Sequence, residues 1–188
     1  MAATALAAAL AERGAVLDGH FRLSSGRHSD RFVQKFRILE DPSMVEPVAR
    51  ALAEAFEDRK ATAVVSAAVG GIVLGYEVAR QLGTKALFVE KENGVPALRR
   101  GFRLGAGDRA LVVEDVITTG GSVKEVIDVV RAAGAEVIGV GAIVLRAPVD
   151  FGVPTHVLLE LPMTSFAPDE CPQCKAGQPI ADPGSRRA

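Results

Sequence analysis

The feature that most constrains the fold is a regular alternation that begins at Thr62. From there on, short runs rich in Val, Ile, Leu and Ala alternate with longer segments of helical periodicity. The apolar runs hardly alternate with polar residues, which is typical of parallel strands covered on both faces. The pattern predicts an α/β fold with a mostly parallel sheet, and its strands are expected at residues 63–67, 86–89, 110–114, 136–145 and 156–161.

Helical periodicity is clearest after the third of these strands. Val123, Val126, Ile127 and Val130 share one face, and Gly134 is expected to cap the helix at its end. A second apolar stripe covers 44–56 and follows Asp41-Pro42-Ser43, which favours a helix start. Residues 1–11 predict a terminal helix, whereas 94–107 predicts a long charged loop of functional importance.

Length and charge narrow the class of protein. A chain of 188 residues with 48% hydrophobic content suits one domain. We expect an N-terminal part at 1–40, a core at 62–160 and a tail at 162–188. The 22 basic and 23 acidic side chains provide no positive field for nucleic acid. Apolar runs are too short for a membrane span, so we expect a soluble, cytoplasmic protein.

The most specific motif is Ala-Leu-Val-Val-Glu-Asp-Val-Ile-Thr-Thr-Gly-Gly-Ser at 110–122, where a buried strand ends in two carboxylates. The strand then passes through a small, hydroxyl-rich turn into the helix described above. Free backbone N–H groups, hydroxyls and the positive end of a helix dipole suit a phosphate dianion. The predicted phosphate site is Thr118, Thr119, Gly120, Gly121 and Ser122.

The two carboxylates of this motif, Glu114 and Asp115, suit the vicinal hydroxyls of a ribose and could also help to hold a metal ion. The alternative is an ordinary capped turn in a doubly wound protein. A nucleotide triphosphatase is disfavoured because the chain lacks G-x-x-x-x-G-K-[ST]. A dinucleotide-binding G-x-G-x-x-G is also missing.

The motif closely resembles the phosphoribosyl pyrophosphate signature of type I phosphoribosyltransferases. The resemblance implies the fold of that family, a sheet flanked by helices with a small N-terminal hood, and Mg²⁺ bound together with the phosphoribosyl pyrophosphate donor. The segment Ser-Ala-Ala-Val-Gly-Gly at 66–71 resembles the family's pyrophosphate loop. The donor-binding residues implied there are Ala67, Ala68, Val69 and Gly70.

The stretch His-Phe-Arg-Leu-Ser-Ser-Gly-Arg-His-Ser at 20–29, followed by Phe32, resembles the base-binding region of orotate phosphoribosyltransferases. By this resemblance Phe32 stacks on orotate, and Ser24, Ser25 and Gly26 bind its edges. Arg146 matches an arginine that binds the orotate carboxylate, for which a planar guanidinium is suited. The product would be orotidine 5′-monophosphate, in the de novo biosynthesis of UMP. An ordinary core phenylalanine is the alternative for Phe32.

The charged segment Leu-Arg-Arg-Gly-Phe at 98–102 is similar to that of a bacterial, Thermus-type branch of this family. Lys91, Arg99 and Arg100, together with Asp115, are the catalytic residues that the resemblance implies. A solvated basic loop is the alternative. Better-known members differ because they have a lysine where Ser24 stands and a longer loop. The loop of the family reaches a neighbouring subunit, which implies a homodimer.

The two cysteines, Cys171 and Cys174, stand in a Cys-x-x-Cys arrangement. This is half of a structural zinc site, which needs four ligands. The histidines elsewhere are His20, His28 and His156, and two chains could pool their cysteines. A bare loop or a disulfide remains an alternative to zinc.

Two other functions fit part of the sequence. The shared donor signature permits transfer to a purine or to uracil, and base-dependent release of pyrophosphate would separate these. A non-catalytic relative that binds RNA or DNA would be compatible with a shortened loop, but the net charge of −1 disfavours it.

Overall fold

A six-stranded sheet forms the centre of the computed structural model, which describes residues 3–23 and 25–183. Its strand order is β5-β4-β3-β6-β7-β8, and every neighbouring pair is parallel except β4 and β5. The strands are β3 (Ala63–Ala67), β4 (Lys85–Glu92), β5 (Val95–Leu98), β6 (Arg109–Ile117), β7 (Glu136–Leu145) and β8 (Thr155–Glu160).

Helices cover both faces of this sheet. They are α1 (Ala3–Glu12), α2 (Phe36–Leu39), α3 (Pro42–Ala55), α4 (Gly71–Leu82), α5 (Gly121–Ala132) and α6 (Pro172–Lys175), with a 3₁₀ turn at Glu57–Arg59. On β3, Val64 packs into the core beneath α3 and α4, whereas Val65 packs into the core beneath α5. Consecutive strand residues are therefore buried on opposite faces, which explains the uninterrupted apolar runs.

The predicted α/β architecture is confirmed, and all five expected strands form within a few residues of their predicted bounds. Asp41 caps α3 as expected, because its carboxylate accepts a hydrogen bond from the Ser43 backbone N–H at 2.9 Å. Gly134 follows α5 with a φ of +82°, the left-handed conformation that ends a helix.

The prediction of a long loop at 94–107 is wrong for Val95–Leu98, which forms β5 and pairs with β4, whereas residues 99–107 contain no helix or strand. The connecting turn is Asn93-Gly94, and both residues have positive φ, at 50° and 84°. Asn-Gly is the strongest short hairpin signal, because a two-residue turn of this type needs left-handed residues. The sequence therefore contained the information that predicts this hairpin.

A two-stranded hairpin lies outside the central sheet, with β1 (Val16–Arg22) antiparallel to β2 (His28–Val33). The C-terminal segment packs along it, since Phe166 pairs with His28 and Ala181 pairs with Phe21. In the described ranges, the helices are too short or too polar to cross a membrane.

Gly139 on β7 is expected to tolerate no side chain. A Cβ atom there would collide with the Phe56 ring and lie 2.9 Å from the carbonyl oxygen of Pro154. We expect Gly139→Ala to lower the free energy of unfolding by about 2 kcal/mol, since overpacking a close-packed core costs about 1–3 kcal/mol. Gly141→Ala is the matched control, because its Cβ would meet Phe56 only at 3.4 Å. Urea denaturation measures both, and equal losses would contradict this account.

Candidate active site

Three segments meet at the carboxyl edge of the central strands. The segment after β3 leads into α4, the turn after β6 leads into α5, and Arg146 follows β7. The strands are parallel neighbours, with Ser66 beside Val113 and Ile117 beside Leu145. Ligands of open α/β sheets bind at this edge, where successive loops diverge.

The turn after β6 is exposed, as a phosphate site requires. Thr118, Thr119 and Ser122 are accessible, and α5 begins at Gly121 without any side-chain cap. Its first N–H groups therefore face outward with the positive end of the helix dipole. Gly120 has a φ of +79°, and a Cβ there would meet Val149 at 2.8 Å and Phe151 at 3.0 Å. Only glycine fits that position.

Glu114 and Asp115 form a buried acid pair beside this turn, with 8% and 1% of their surfaces exposed. Lys35, which sequence reasoning missed, lies against it. Its Nζ donates a hydrogen bond to Asp115 Oδ1 at 3.1 Å and lies 2.8 Å from Oδ2. Burial and the neighbouring Asp115 charge raise the pKa of Glu114 to about 8.

The predicted pyrophosphate loop lies directly against the acid pair. A Cβ on Gly70 would collide with both Asp115 Oδ2 and Lys35 Nζ, and one on Gly71 would lie 3.4 Å from Glu114 Oε1. Glycine at these positions thus allows the loop and the carboxylates to touch. Ala68 and Val69 are exposed, Ala67 is partly buried, and the Ala68–Val69 peptide bond is cis.

Arg146 joins the same edge, because its backbone N–H donates to the carbonyl of Ile117 at 2.9 Å. Its Nε is buried without a hydrogen-bond partner among the described residues. Desolvation lowers the pKa of its guanidinium from the ordinary value. A buried guanidinium N–H that lacks an acceptor is costly, so a bound carboxylate would stabilise this half-buried side chain.

The other residues predicted to bind the base lie on the β1–β2 hairpin. Ser25 and Gly26 form its turn, where the Gly26 N–H donates to the Leu23 carbonyl, and Ser24 lies outside the described residues. Phe32 is half-buried and contacts Phe21, with ring centroids 5.8 Å apart. Between residues that the structure describes, no hydrogen bond or ion pair joins Ser25, Gly26 or Phe32 to the turn after β6. Lys35, three residues beyond Phe32, contacts Asp115 of β6, close to that turn.

The three cations assigned to catalysis lie on or near the β4–β5 hairpin and are each paired with a glutamate. Lys91 contacts Glu125 at 2.8 Å, Arg99 contacts Glu92 at 2.9 Å and Arg100 contacts Glu90 at 2.8 Å. All three side chains are well exposed. The hairpin adjoins α5 through Glu125, but the cation that contacts the acid pair is Lys35.

Comparison with known proteins agrees with this geometry. The family model for the phosphoribosyl transferase domain matches residues 36–150. An orotate phosphoribosyltransferase of Caldanaerobacter subterraneus is 53% identical over 171 residues, which cover 90% of each chain. One from Pelotomaculum thermopropionicum is 52% identical over 176 residues, covering 93% of each. The chain belongs to the orotate phosphoribosyltransferase family.

A solved structure supports the same family assignment. Orotate phosphoribosyltransferase from Aeropyrum pernix is 31% identical, with a TM-score of 0.70, over 83% of this chain and 93% of that one. The expected type I phosphoribosyltransferase fold is thereby confirmed for this member of the orotate phosphoribosyltransferase family. Lys35 was missed because no motif accompanies it, and only the fold brings it to Asp115.

The buried Glu114 predicts a pH-dependent stability. Its pKa is 4.5 in an ordinary environment and about 8 in the fold, so above pH 4.5 the unfolded chain loses a proton that the native protein keeps. The contribution of this site to the free energy of unfolding is fully present below pH 4.5 and is lost as the pH rises through about 8. Glu114→Gln carries no proton to lose. Its stability relative to the native sequence should therefore increase between pH 5 and pH 9 in urea titrations, and a constant difference would contradict the assignment.

Proposed function

We propose that this protein transfers ribose 5-phosphate from phosphoribosyl pyrophosphate to orotate, giving orotidine 5′-monophosphate and pyrophosphate. The observation that carries the proposal is the adjacency of an uncapped helix N-terminus and a buried acid pair. The first suits a phosphate, and the second suits the hydroxyls of the attached sugar. Family membership at 53% identity supports orotate as the acceptor.

The reaction requires positioning and charge stabilisation more than a side-chain nucleophile. The bond between ribose C1 and the pyrophosphate oxygen breaks, and a bond from the orotate ring nitrogen to C1 forms on the opposite face, while the proton of that nitrogen passes to the departing pyrophosphate or to water. In our assignment the turn 118–122 holds the 5′-phosphate. Asp115 and Glu114 accept hydrogen bonds from the ribose hydroxyls, and the loop 67–70 holds the departing pyrophosphate.

Arg146 is assigned to the carboxylate of orotate, because its buried Nε lacks an acceptor. A guanidinium binds a carboxylate through two parallel hydrogen bonds, which would also orient the ring. Phe32 and the turn with Ser25 and Gly26 are assigned to the face and edges of the base.

Carboxylate oxygens at the edge of the site suit Mg²⁺, which prefers hard oxygen ligands and retains several waters. Asp115 is a residue that would contact such an ion, as is Glu114, because the charge of the ion would favour its ionised form. The contact of Asp115 with the Lys35 ammonium supports a preference for positive charge there. When bound, Mg²⁺ would neutralise charge on the pyrophosphate.

Positive charge for the leaving group is assigned to Lys91, Arg99 and Arg100, with Lys35 as an additional candidate. The first three lie on or just beyond the β4–β5 hairpin and are paired with Glu125 of α5, Glu92 and Glu90, respectively, so a pyrophosphate would have to replace these partners. Lys35 is already in place, since its Nζ lies against Gly70 of the pyrophosphate loop.

A homodimer is part of the proposal. Val73 and Tyr76 lie three residues apart on α4 and are 48% and 65% exposed, while Val69 just before α4 and Phe36 on α2 are 75% and 40% exposed. Large exposed apolar side chains on one helix face favour an interface. Light scattering on a gel-filtration column measures the mass, and a monomer would contradict this part.

A cytoplasmic location is also part of the proposal, because the two cysteines form no disulfide.

The test of the proposed activity is the loss of orotate absorbance when the purified protein receives phosphoribosyl pyrophosphate and Mg²⁺. Orotate should be consumed with one pyrophosphate released per molecule, while uracil, adenine and guanine should release little. Turnover with another base and none with orotate would overturn the substrate assignment. No turnover with any base would favour a non-catalytic role.

A further inference from the structure

The hairpin and the C-terminal segment bring together four side chains with metal-ligand atoms. They are His20 on β1, His28 at the start of β2, and Cys171 and Cys174 at α6. One ligand atom from each lies within 4.8 Å of all the others. The contacts join residues about 150 positions apart in the sequence, so local chain geometry does not account for the cluster.

The spacing of these atoms matches a tetrahedral ion. Ligands at about 2.0 Å for Zn–N and about 2.3 Å for Zn–S lie about 3.3 to 3.8 Å from one another. Here His20 Nε2 and His28 Nδ1 are 3.3 Å apart. The Cys171 Sγ lies 3.4 Å from His20 Nε2, and the Cys174 Sγ lies 3.6 Å and 3.2 Å from the two histidine nitrogens.

The residues around the four ligand atoms are arranged as they are around a bound structural zinc ion. Nδ1 of His20 lies 3.0 Å from the Gln178 carbonyl oxygen, which fixes Nε2 as the ring nitrogen facing the cluster. Ligating histidines characteristically donate their other N–H in this way. His20, His28 and Cys171 are 5%, 6% and 0% exposed, whereas Cys174 is exposed, so three of the four ligand residues are shielded from solvent. Cys₂His₂ sites, in which four protein ligands leave no coordination position open, are structural zinc sites.

We propose that one Zn²⁺ binds within a single chain to His20, His28, Cys171 and Cys174. The ion attaches the C-terminal segment to the β1–β2 hairpin, where the chain already forms hydrogen bonds from Ala181 N–H to the His20 carbonyl and from His28 N–H to the Phe166 carbonyl. It is a structural site, separate from the carboxylates at the edge of the sheet. The sequence indicated Cys171 and Cys174 as possible ligands and left open whether histidines or a second chain would complete the set.

Metal analysis of untagged protein, purified by gel filtration, tests the proposal directly. We expect one zinc per chain, and His20→Asn and Cys174→Ser should each lose most of it. His156→Asn is the matched control, because His156 packs against Phe56 with ring centroids 6.5 Å apart and should leave the zinc content unchanged.

Three further measurements, all on the native sequence, keep the test independent of variant folding. Cobalt substituted into the native protein should show the visible absorption of a tetrahedral thiolate site, and a thiol-blocking reagent should release the metal. Chelation should also lower the melting temperature. Protein that contains no zinc and binds none after reduction, or that holds one zinc per two chains, would overturn the proposal.

Discussion

Replacing Asp115 with asparagine is expected to lower kcat/KM by about 10²- to 10³-fold. The substitution keeps the shape of the side chain but removes its negative charge. The charged carboxylate accepts hydrogen bonds from the ribose hydroxyls and pairs with Lys35. Hydrogen bonds to a charged group contribute about 1.5–3 kcal/mol each, so losing two accounts for a change of this size. Steady-state kinetics with varied phosphoribosyl pyrophosphate measures it.

Asp128→Asn is the matched control, because Asp128 is exposed on α5. It should change kcat/KM by less than about twofold. Thermal melting of both variants separates misfolding from lost chemistry. A folded Asp115→Asn enzyme with nearly native activity would show that the acid pair does not contact the donor.

Replacing Arg146 with leucine is expected to reduce kcat/KM for orotate by about 10²- to 10³-fold, since a bidentate, charge-assisted contact would be lost. The affinity for phosphoribosyl pyrophosphate should change little, because that ligand is assigned to the turn and the loop. Arg146→Lys should recover only part of the loss, because an ammonium lacks the planar fork of a guanidinium.

The split between the two substrates distinguishes this role from a structural one. Initial rates with each substrate varied in turn give the two specificity constants, and equilibrium binding of phosphoribosyl pyrophosphate gives its affinity directly. Equal losses for base and donor would place Arg146 outside the base site. Arg131→Leu on the exposed side of α5 is the control and should affect neither.

Much of the core could be predicted because its signals are local. Each central strand is an uninterrupted apolar run, and Asp41 and Gly134 delimit helices through their own chemistry. The motif at 110–122 also contains strand, carboxylates, turn and helix start in one continuous segment. The hairpin at Asn93-Gly94 was missed although its signal was present, because the charges around it favoured a loop.

The remaining parts depend on contacts that the sequence does not encode locally. Lys35 reaches Asp115 across 80 positions, and nothing near Lys35 distinguishes it from a surface lysine. His20 and His28 are separated from Cys171 by more than 140 positions, and an antiparallel hairpin is needed to place both rings on one side. Tertiary packing decided these pairings, so the acid pair and the two cysteines could be recognised but their partners could not be assigned.

The proposed reaction depends on a turn at 118–122 that holds the phosphate while the adjacent carboxylates hold the sugar. A crystal structure with bound orotidine 5′-monophosphate would show whether they do so. We expect the phosphate against the backbone N–H groups from Thr119 to Ser122, with the ribose hydroxyls on Asp115 and Glu114. A phosphate bound elsewhere, with the turn left empty, would rule out this phosphate site.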